Sequence, residues 1–289
     1  MESAANVAPL VVIVGETASG KSALAMALAK QFNGEIIAAD SRTVYRFLDI
    51  ATAKPTQSDQ QQVRHHLLDV VDPDQTFTAA DFKQLALDAI EDISSRGKLP
   101  ILVGGSGLYI DAILYDFSFA PPADPSLRQE LQGLSIDELQ GRIKQLGYEI
   151  PENNRNPRHL IRTIERAGAP LAKTSLRPHT LVLGLMAQDL RDRIILRVDQ
   201  TIKQGLVQEV RHVAEEYGWD AHALQAPASR AFCEYIRGSI SLEKARAQNI
   251  QNDLKLAKRQ RTWFKRNNSI HWVNQQAEAV DLVTTFLNK

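Results

Sequence analysis

The sequence predicts an α/β protein built on a doubly wound parallel sheet, with an inserted helical domain. Residues 10–14, Leu-Val-Val-Ile-Val, form a continuous apolar run, which is typical of a parallel strand buried on both faces. Residues 35–39 and 99–103 repeat that pattern, and helical periodicities at residues 22–32 and 77–96 separate the three runs. Strands that alternate with helices indicate a parallel sheet that binds its ligands at the carboxyl ends of the strands.

The composition changes near Phe117, where the core pattern is interrupted. Residues 120–125, Ala-Pro-Pro-Ala-Asp-Pro, have the composition of a linker, and residues 126–176 are polar, helical and poor in strand patterns. A further apolar run at residues 181–186 predicts the strand by which the chain returns to the core. We therefore predict a core domain of residues 1–117 and 179–289 around a helical insertion of residues 118–178. Within the returning part, helices are predicted at residues 190–217, 241–265 and 274–289.

The bulk composition is that of an ordinary globular protein. Hydrophobic residues make up 44% of the 289 residues and charged residues 24%, which is enough apolar material for a sizeable core. The formal net charge is zero, so any nucleic-acid surface must come from local clusters of charge. The single cysteine, Cys233, fits a reducing compartment, and no apolar run approaches the 18 residues of a membrane span. We expect a soluble, cytoplasmic monomer with no membrane partner.

A phosphate-binding motif follows the first predicted strand. The segment Gly15-Glu-Thr-Ala-Ser-Gly-Lys-Ser22 matches the pattern G-x-x-x-x-G-K-[ST] in full and lies between a buried strand and a helix, as that motif requires. Its backbone N–H groups and the positive end of the helix face an anion, while Lys21 neutralises phosphate oxygens and Ser22 holds Mg²⁺. The predicted diphosphate-binding residues are Gly15, Glu16, Thr17, Ala18, Ser19, Gly20, Lys21 and Ser22.

The motif alone does not identify the phosphate ligand, and three classes of function remain open. A small-molecule kinase would bind ATP here and use the helical insertion as a lid. A nucleotide hydrolase usually places a metal-binding Asp after an apolar strand; here the second strand ends in Asp40, whereas the third ends in Gly104-Gly-Ser-Gly107 without an acid. A non-catalytic RNA-binding module is the weakest alternative, because a complete phosphate loop serves little purpose in one.

An ordered set of short segments makes the choice. In addition to the phosphate loop, the set comprises Asp40-Ser-Arg-Thr-Val-Tyr45, Thr52-Ala-Lys-Pro-Thr56, His65-His-Leu-Leu-Asp69, Ala79-Ala-Asp-Phe82, Val103-Gly-Gly-Ser-Gly-Leu-Tyr109, Arg158-His-Leu-Ile-Arg162 and Lys258-Arg-Gln-Arg-Thr-Trp263. Together these segments resemble the tRNA dimethylallyltransferase family, also called isopentenyl-diphosphate:tRNA transferases. They follow the order of the family from residue 10 to about residue 272, and the resemblance implies a P-loop NTPase-like core.

The chain departs from the family pattern at five places. Glu16 stands where the family usually has proline, and Ala51 stands where it usually has glycine. Ser106 replaces the usual threonine but keeps the hydroxyl, and Ala187 falls where many members carry an arginine. The segment at residues 231–235, Ala-Phe-Cys-Glu-Tyr, lacks the Gly-Tyr pair that is typical there.

The resemblance implies that the N6 amine of a tRNA adenine, expected at position 37 beside the anticodon, attacks C1 of dimethylallyl diphosphate. Asp40, at the carboxyl end of a central strand, suits the base that takes the N6 proton; a helix cap or a metal ligand is the alternative. The resemblance also implies that the Ser106 hydroxyl bonds the bridging oxygen and that Arg128 and Arg230 lie over the diphosphate. The alternatives are a small residue in a glycine-rich turn for Ser106 and solvated surface side chains for the two arginines.

The tRNA is expected to contact the protein at three places. Asp40, Ser41, Arg42 and Thr43 lie where a flipped base would be read by its edges. Arg155, Arg158, Arg162 and Arg166 recur at three- and four-residue spacing, and basic residues 255–266 are interleaved with Trp263 and Phe264. The alternative for both basic clusters is a solvated, charged helix face that binds no RNA and whose aromatic residues point to the core. The predicted tRNA-binding residues outside the Asp40 turn are Arg158, His159, Leu160, Ile161, Arg162, Lys258, Arg259, Arg261, Trp263 and Lys265.

Overall fold

A computed structural model describes residues 7–119, 124–169 and 174–289. Its centre is a six-stranded sheet with the strand order β3-β2-β4-β1-β5-β6, and all neighbouring strands pair in parallel. The predicted α/β class with a parallel sheet is therefore confirmed. The strands are β1 (Leu10–Gly15), β2 (Gly34–Ala39), β3 (His65–His66), β4 (Leu99–Gly104), β5 (Thr180–Leu185) and β6 (Ile270–Trp272).

Contacts divide the chain into two units. One contains Met1–Leu114 and Leu176–Lys289, and the other contains Tyr115–Ser175. The predicted insertion, residues 118–178, differs from the second unit by three residues at each boundary. The predicted linker at residues 120–125 lies mostly outside the described residues.

The larger unit contains ten of the described helices. They are α1 (Lys21–Gln31), α2 (Asp49–Thr52), α3 (Gln57–Gln62), α4 (Ala79–Ser95), α5 (Gly107–Leu114), α9 (Leu190–Gln204), α10 (Leu206–Tyr217), α11 (Pro227–Ile236), α12 (Leu242–Phe264) and α13 (Gln276–Leu287). The smaller unit contains α6 (Pro125–Gln132), α7 (Ile136–Gln145) and α8 (Pro157–Glu165). No described helix has the length and apolar character that a membrane crossing requires.

The sheet is buried on both faces, as its apolar strands require. Every residue of β1 and β4 is buried. On one face Val11 and Ile13 pack in a cluster with Leu28 of α1 and Val283 of α13. A second cluster, centred on Phe232 and Val210, packs α10 and α11 against the segment after β2. The apolar area removed from water on both faces fixes the positions of the strand ends, where the candidate site lies.

The smaller unit has its own apolar centre. Leu131, Leu139, Ile143 and Leu160 are fully buried there. Its helices begin at side-chain caps, because Asp124, Ser135 and Asn156 each accept a bond from an N–H group of the first turn. The prediction that residues 126–176 are helical is confirmed for the three described helices.

Two features differ from the sequence prediction. The single helix predicted at residues 190–217 is two helices, because Gly205 adopts a left-handed backbone conformation with φ of 111° and ends α9 where α10 begins. Strands β3 and β6 were not predicted, because runs of two or three residues are too short to display a period.

Candidate active site

The phosphate loop connects β1 to α1 through residues 16–20. A Cβ atom on Gly15 would lie 2.5 Å from the carbonyl oxygen of Leu185, so only glycine fits at this close approach between β1 and β5. Gly20 has a left-handed conformation with φ of 95° and begins α1 without a side-chain cap. The first N–H groups of α1 therefore lack a capping side chain, and this end of the helix favours an anion.

Lys21 folds back over the loop. Its Nζ donates to the carbonyl oxygen of Glu16 at 3.1 Å. Loss of hydration lowers the pKa of Lys21 from 10.5 to about 8; the charge of Asp40 opposes this shift, that of Arg197 adds to it, and that of Glu16 opposes it. A bound anion would restore the charged form, so Lys21 is suited to hold a phosphate oxygen.

Two serines of the loop differ in their surroundings. Ser22, in the first turn of α1, is exposed and presents a hydroxyl oxygen, which is the kind of ligand that Mg²⁺ prefers. The Ser19 hydroxyl is buried and has no hydrogen-bond partner among the described residues. The Ser22 side chain is compatible with Mg²⁺, and a magnesium ion at this position stays a prediction.

Asp40 and Ser106 lie together at the ends of neighbouring strands. Ala39 of β2 is in register with Gly104 of β4, so the residues that follow the two strands meet. The Ser41 N–H donates to the Ser106 hydroxyl oxygen at 3.0 Å, and the Ser106 N–H donates to the carbonyl oxygen of Ala39 at 3.3 Å. Three predicted site residues, Asp40, Ser41 and Ser106, are therefore brought together in two adjoining turns.

The carboxylate of Asp40 is only partly buried. Its Oδ1 accepts the N–H of Arg42 at 2.8 Å, which fixes the rotamer of the side chain. Thr43 is buried, and its hydroxyl contacts the carbonyl oxygen of Asp40 at 3.5 Å, so this side chain lies inside the turn. The predicted contact of Thr43 with a base edge stays a prediction. Ser41 and Arg42 are partly buried at the surface of the same turn.

Side chains of α9 and α12 form hydrogen bonds with the phosphate loop. The Thr17 N–H donates to Gln260 Oε1 at 2.8 Å, and Gln260 Nε2 donates to the carbonyl oxygen of Gly105 at 3.1 Å. Arg197 donates to the Thr17 hydroxyl at 2.9 Å. A further bond, from Arg193 to the carbonyl oxygen of Ala18, measures 3.0 Å. Sequence reasoning missed these residues, although Gln260 lies inside one of the segments that carry the family resemblance.

Arg261 also faces the loop. Its Nε and Nη2 donate to the two carboxylate oxygens of Glu16 at 2.8 and 2.7 Å, and the Ala187 N–H donates to Glu16 Oε1 at 3.1 Å. Glu16 is 1% exposed. The guanidinium of Arg261 is therefore bonded to a buried carboxylate of the phosphate loop, and its predicted contact with tRNA stays a prediction.

The rest of the second basic cluster lies at the surface. Lys258, Arg259 and Lys265 are exposed. Trp263 is 39% exposed; its ring packs on Gly107, where a Cβ would lie 2.5 Å away, and its Nε1 donates to Asp111 at 2.9 Å. Trp263 is thus a surface aromatic beside the Ser106 turn, whereas Phe264 is buried.

The first basic cluster lies on α8 of the smaller unit. Arg158, His159 and Arg162 are exposed, as a tRNA surface requires. Leu160 and Ile161 are 0% and 8% exposed and pack in the apolar centre of that unit. The helical period turns both side chains inward, so the predicted contact of these residues with tRNA stays a prediction that only their backbone could satisfy.

The two remaining catalytic candidates are Arg128 and Arg230. Arg128, in the smaller unit, forms a bidentate ion pair with Glu165 at 2.6 and 2.7 Å. Arg230 is exposed on α11 and lines a cavity of about 480 Å³ between α11 and α12, together with Lys244 and Lys255. No residue of the phosphate loop lines that cavity, so the placement of both arginines over the diphosphate stays a prediction.

Lys54 has a structural role that sequence analysis missed. Its side chain is 2% exposed, and Nζ donates to Tyr45 O, Asp49 Oδ1 and Asp69 Oδ1 at 2.6 to 2.7 Å. Glu209 of α10 accepts the N–H groups of three successive residues, Asp49, Ile50 and Ala51, at 2.7 to 2.8 Å. Both side chains hold the segment that follows Asp40.

One group of side chains resembles a metal site but is an ion network. Glu35, His66 and Asp92 lie close enough to share an ion. Glu35 already accepts bonds from Arg96, Lys98 and His66 at 2.6 to 2.8 Å, and the bonds from Arg96 hold the pKa of its carboxyl far below the ordinary value. These cations compensate the carboxylates, which leaves little attraction for a metal.

Comparison with known proteins identifies the family. A model of the IPP transferase family matches residues 43–267. The chain belongs to the IPP transferase family. Among its relatives, the tRNA dimethylallyltransferase of Anoxybacillus flavithermus is 39% identical over 285 residues, which cover 94% of this chain and 92% of that protein. The corresponding protein of Exiguobacterium sp. is 40% identical and covers 95% and 93%.

Solved structures of this IPP transferase family have the same fold. The tRNA isopentenylpyrophosphate transferase of Bacillus halodurans superposes with a TM-score of 0.74 at 34% identity, covering 97% of each chain. A eukaryotic dimethylallyltransferase acting on tRNA gives a TM-score of 0.82 at 24% identity, covering 97% of this chain and 80% of that one. At that identity the likeness supports the fold alone.

Proposed function

We propose that this chain transfers the dimethylallyl group of dimethylallyl diphosphate to N6 of a tRNA adenine, at position 37 beside the anticodon, giving N6-isopentenyladenosine. The observation that carries the proposal is the meeting of a complete phosphate loop with Asp40 and Ser106 at adjacent strand ends. Relatives over nearly the full length are named tRNA dimethylallyltransferases. Those names favour a prenyltransferase over the small-molecule kinase that the loop alone would allow.

The loop would hold the diphosphate of the donor. Uncapped N–H groups of α1 and the ammonium of Lys21 supply positive charge where the leaving group develops its negative charge. The Ser22 hydroxyl would hold Mg²⁺, which adds charge neutralisation when bound. Arg128 and Arg230 remain predictions for further contacts with the diphosphate.

Asp40 and Ser106 would act at the reacting atoms. The bond from N6 to C1 forms while the bond from C1 to the bridging oxygen breaks, and the N6 proton passes to the Asp40 carboxylate. The Ser106 oxygen accepts the Ser41 N–H, so its own proton is available for the bridging oxygen of the departing diphosphate.

The anticodon stem-loop would bind at the exposed basic groups. Ser41 and Arg42 lie beside Asp40, where the extruded base must enter. Exposed Arg158, Lys258 and Lys265 offer charge for RNA phosphates, and Trp263 offers an aromatic face. We propose that the enzyme acts as a monomer in the cytoplasm; its one cysteine, Cys233, is buried and unpaired.

Mass spectrometry tests the proposal. Unmodified tRNA is incubated with the protein, Mg²⁺ and isotopically labelled dimethylallyl diphosphate, and the nucleosides are then analysed. We expect labelled N6-isopentenyladenosine. Transfer of a terminal phosphoryl from ATP to an acceptor, with no isoprenoid on the RNA, would instead establish the kinase alternative.

A further inference from the structure

Glu16 places a buried negative charge inside a loop that is built to hold an anion. The side chain is 1% exposed, and it is the second residue of the phosphate loop. A buried carboxylate is costly unless charges and hydrogen bonds compensate it, and here it also opposes a diphosphate. The position therefore calls for a compensating cation.

Arg261 is that cation. It binds both carboxylate oxygens of Glu16 at 2.8 and 2.7 Å, while the Ala187 N–H satisfies Oε1 at 3.1 Å. The pair brings Arg261, from the last turn of α12, to the rim of the loop, and its side chain remains 38% exposed there. An arginine in that position would attract a diphosphate strongly if its charge were not already matched.

Glu16 is also coupled to the second cation of the loop. Its carbonyl oxygen accepts the Lys21 ammonium at 3.1 Å, and its negative charge favours the ammonium form of Lys21, opposing the loss of hydration that lowers the pKa. Glu16 thus contacts two cations, Arg261 through its carboxylate and Lys21 through its carbonyl oxygen. Because the Glu16 charge favours the ammonium of Lys21, a gain in diphosphate affinity on loss of that charge must come from Arg261.

We propose that Glu16 is a positioning residue that holds Arg261 beside the phosphate loop and cancels its charge, and thereby lowers the affinity of the loop for diphosphate. The inference rests on the proposed function, in which diphosphate is the product that must leave at the end of each turnover. A loop that bound diphosphate more tightly would release it more slowly.

Isothermal titration of inorganic diphosphate into single and double variants tests the inference. Glu16→Gln removes the charge but keeps an acceptor for Ala187, and we expect binding about 3- to 10-fold tighter, a range set by a partly exposed ion pair. Arg261→Gln leaves the carboxylate uncompensated, and we expect binding weaker by about the same factor. The double variant is expected to bind within about 2-fold of the natural protein, because the two charges cancel.

Changes of diphosphate affinity in opposite directions in the two single variants distinguish this role from a purely structural one. If Glu16 only stabilised the loop, both single variants would bind diphosphate more weakly, and that result would overturn the inference. Unchanged affinity in Glu16→Gln would overturn it as well. If Glu16→Gln does not fold, Arg261→Lys provides a second measure, because it keeps the cation but not the bidentate geometry. We expect this variant to bind diphosphate within about 2-fold of the natural protein. A loss of affinity as large as in Arg261→Gln would refute the role of charge.

Glu35→Gln provides the matched control. Glu35 is also a 1% exposed carboxylate paired with an arginine, but it lies near the amino end of β2, whereas the phosphate loop follows the carboxyl end of β1. Its loss is expected to lower stability and to leave diphosphate affinity unchanged. Because the titration uses no tRNA, its outcome is independent of whether prenyl transfer is detected.

Discussion

The backbone N–H of Ser41 donates to the hydroxyl oxygen of Ser106 at 3.0 Å. The two residues are 65 positions apart in the chain, yet the register of β2 against β4 makes them neighbours. This bond aligns the residue after the proposed base with the residue proposed to assist the leaving group. Three of the five predictions that follow concern these strand ends and the phosphate loop.

Ser106→Ala is expected to lower the rate of prenyl transfer about 100-fold, because it removes the only side-chain donor proposed for the bridging oxygen. Affinity for tRNA should change little. The check is a single-turnover assay with labelled donor, and Ser106→Thr is the control, since it restores a hydroxyl. Equal rates for the alanine and threonine variants would show that the hydroxyl takes no part in the reaction.

Asp40→Asn is expected to lower prenyl transfer by at least about 100-fold while tRNA affinity stays within a few-fold. The amide oxygen can still accept the Arg42 N–H, so the turn should keep its shape, but an amide cannot take the N6 proton. Single-turnover rates and equilibrium tRNA binding measure the two effects separately. Near-full turnover in this variant would refute the assignment of Asp40 as the base.

The pKa of Lys21 predicts a pH dependence of diphosphate binding. Only the ammonium attracts the anion, so affinity in the natural protein should fall as the pH rises through about 8. Lys21→Arg, whose guanidinium stays charged, should lack this component, and ionisation of the ligand is common to both proteins. Titration of diphosphate across this range compares them, and identical pH profiles would contradict the prediction. Because the pKa is lower in the folded state than the ordinary 10.5, Lys21 should also make stability rise with pH between about 8 and 10.5.

Lys54→Met is expected to lower the free energy of unfolding by about 2 kcal/mol. The change leaves the carbonyl oxygen of Tyr45 and two carboxylates without their shared cation, although Asp49 and Asp69 are exposed enough for water to replace part of the loss. Urea unfolding measures the effect. Lys30→Met, which alters an exposed lysine bonded to Gln62, is the control and should change stability by less than about 0.5 kcal/mol. Similar losses for the two variants would mean that Lys54 stabilises the fold no more than a surface lysine does.

Arg158→Ala and Arg162→Ala are expected to weaken tRNA binding and to flatten its dependence on salt. Removing one arginine that pairs with a phosphate should reduce the log–log slope by about 1. Arg162 shares Glu165 with Arg128, so we expect its loss to cost less affinity than the loss of Arg158. Arg142→Ala, an exposed arginine on α7, is the control and should keep the natural slope. An unchanged slope in both α8 variants would mean that this helix does not bind phosphate.

The local sequence was sufficient to predict the elements whose hydrophobic pattern extends over several residues. Apolar runs of five or six residues identified β1, β2, β4 and β5, and the glycine-rich motif identified the loop between β1 and α1. The approach of Asp40 to Ser106 was not predicted, because the sequence does not show that β2 and β4 are neighbouring strands. Predictions failed where an element was very short, as in His65–His66, or where one glycine divided two helices.

Local sequence patterns could not predict contacts between side chains that are far apart in the sequence. Arg261 looked like one more cation of a basic helix, and its commitment to Glu16, 245 residues away, depends on how α12 docks. The burial of Lys54 had no signal, because a lysine between alanine and proline is ordinary in an exposed loop. Leu160 and Ile161 differ, because the 3.6-residue period of α8 is by itself sufficient to assign their side chains to the inner face.

The carboxamide of Gln260 joins the loop after β1 to the loop after β4 through the Thr17 N–H and the carbonyl oxygen of Gly105. It lies near one end of a helix of 23 residues, which spans about 35 Å. A ligand that takes over the Thr17 N–H must detach the amide, and α12 then loses one of its tethers to the sheet. Binding of the donor would in that case be detectable along the whole length of α12, as faster exchange of its amide hydrogens with solvent.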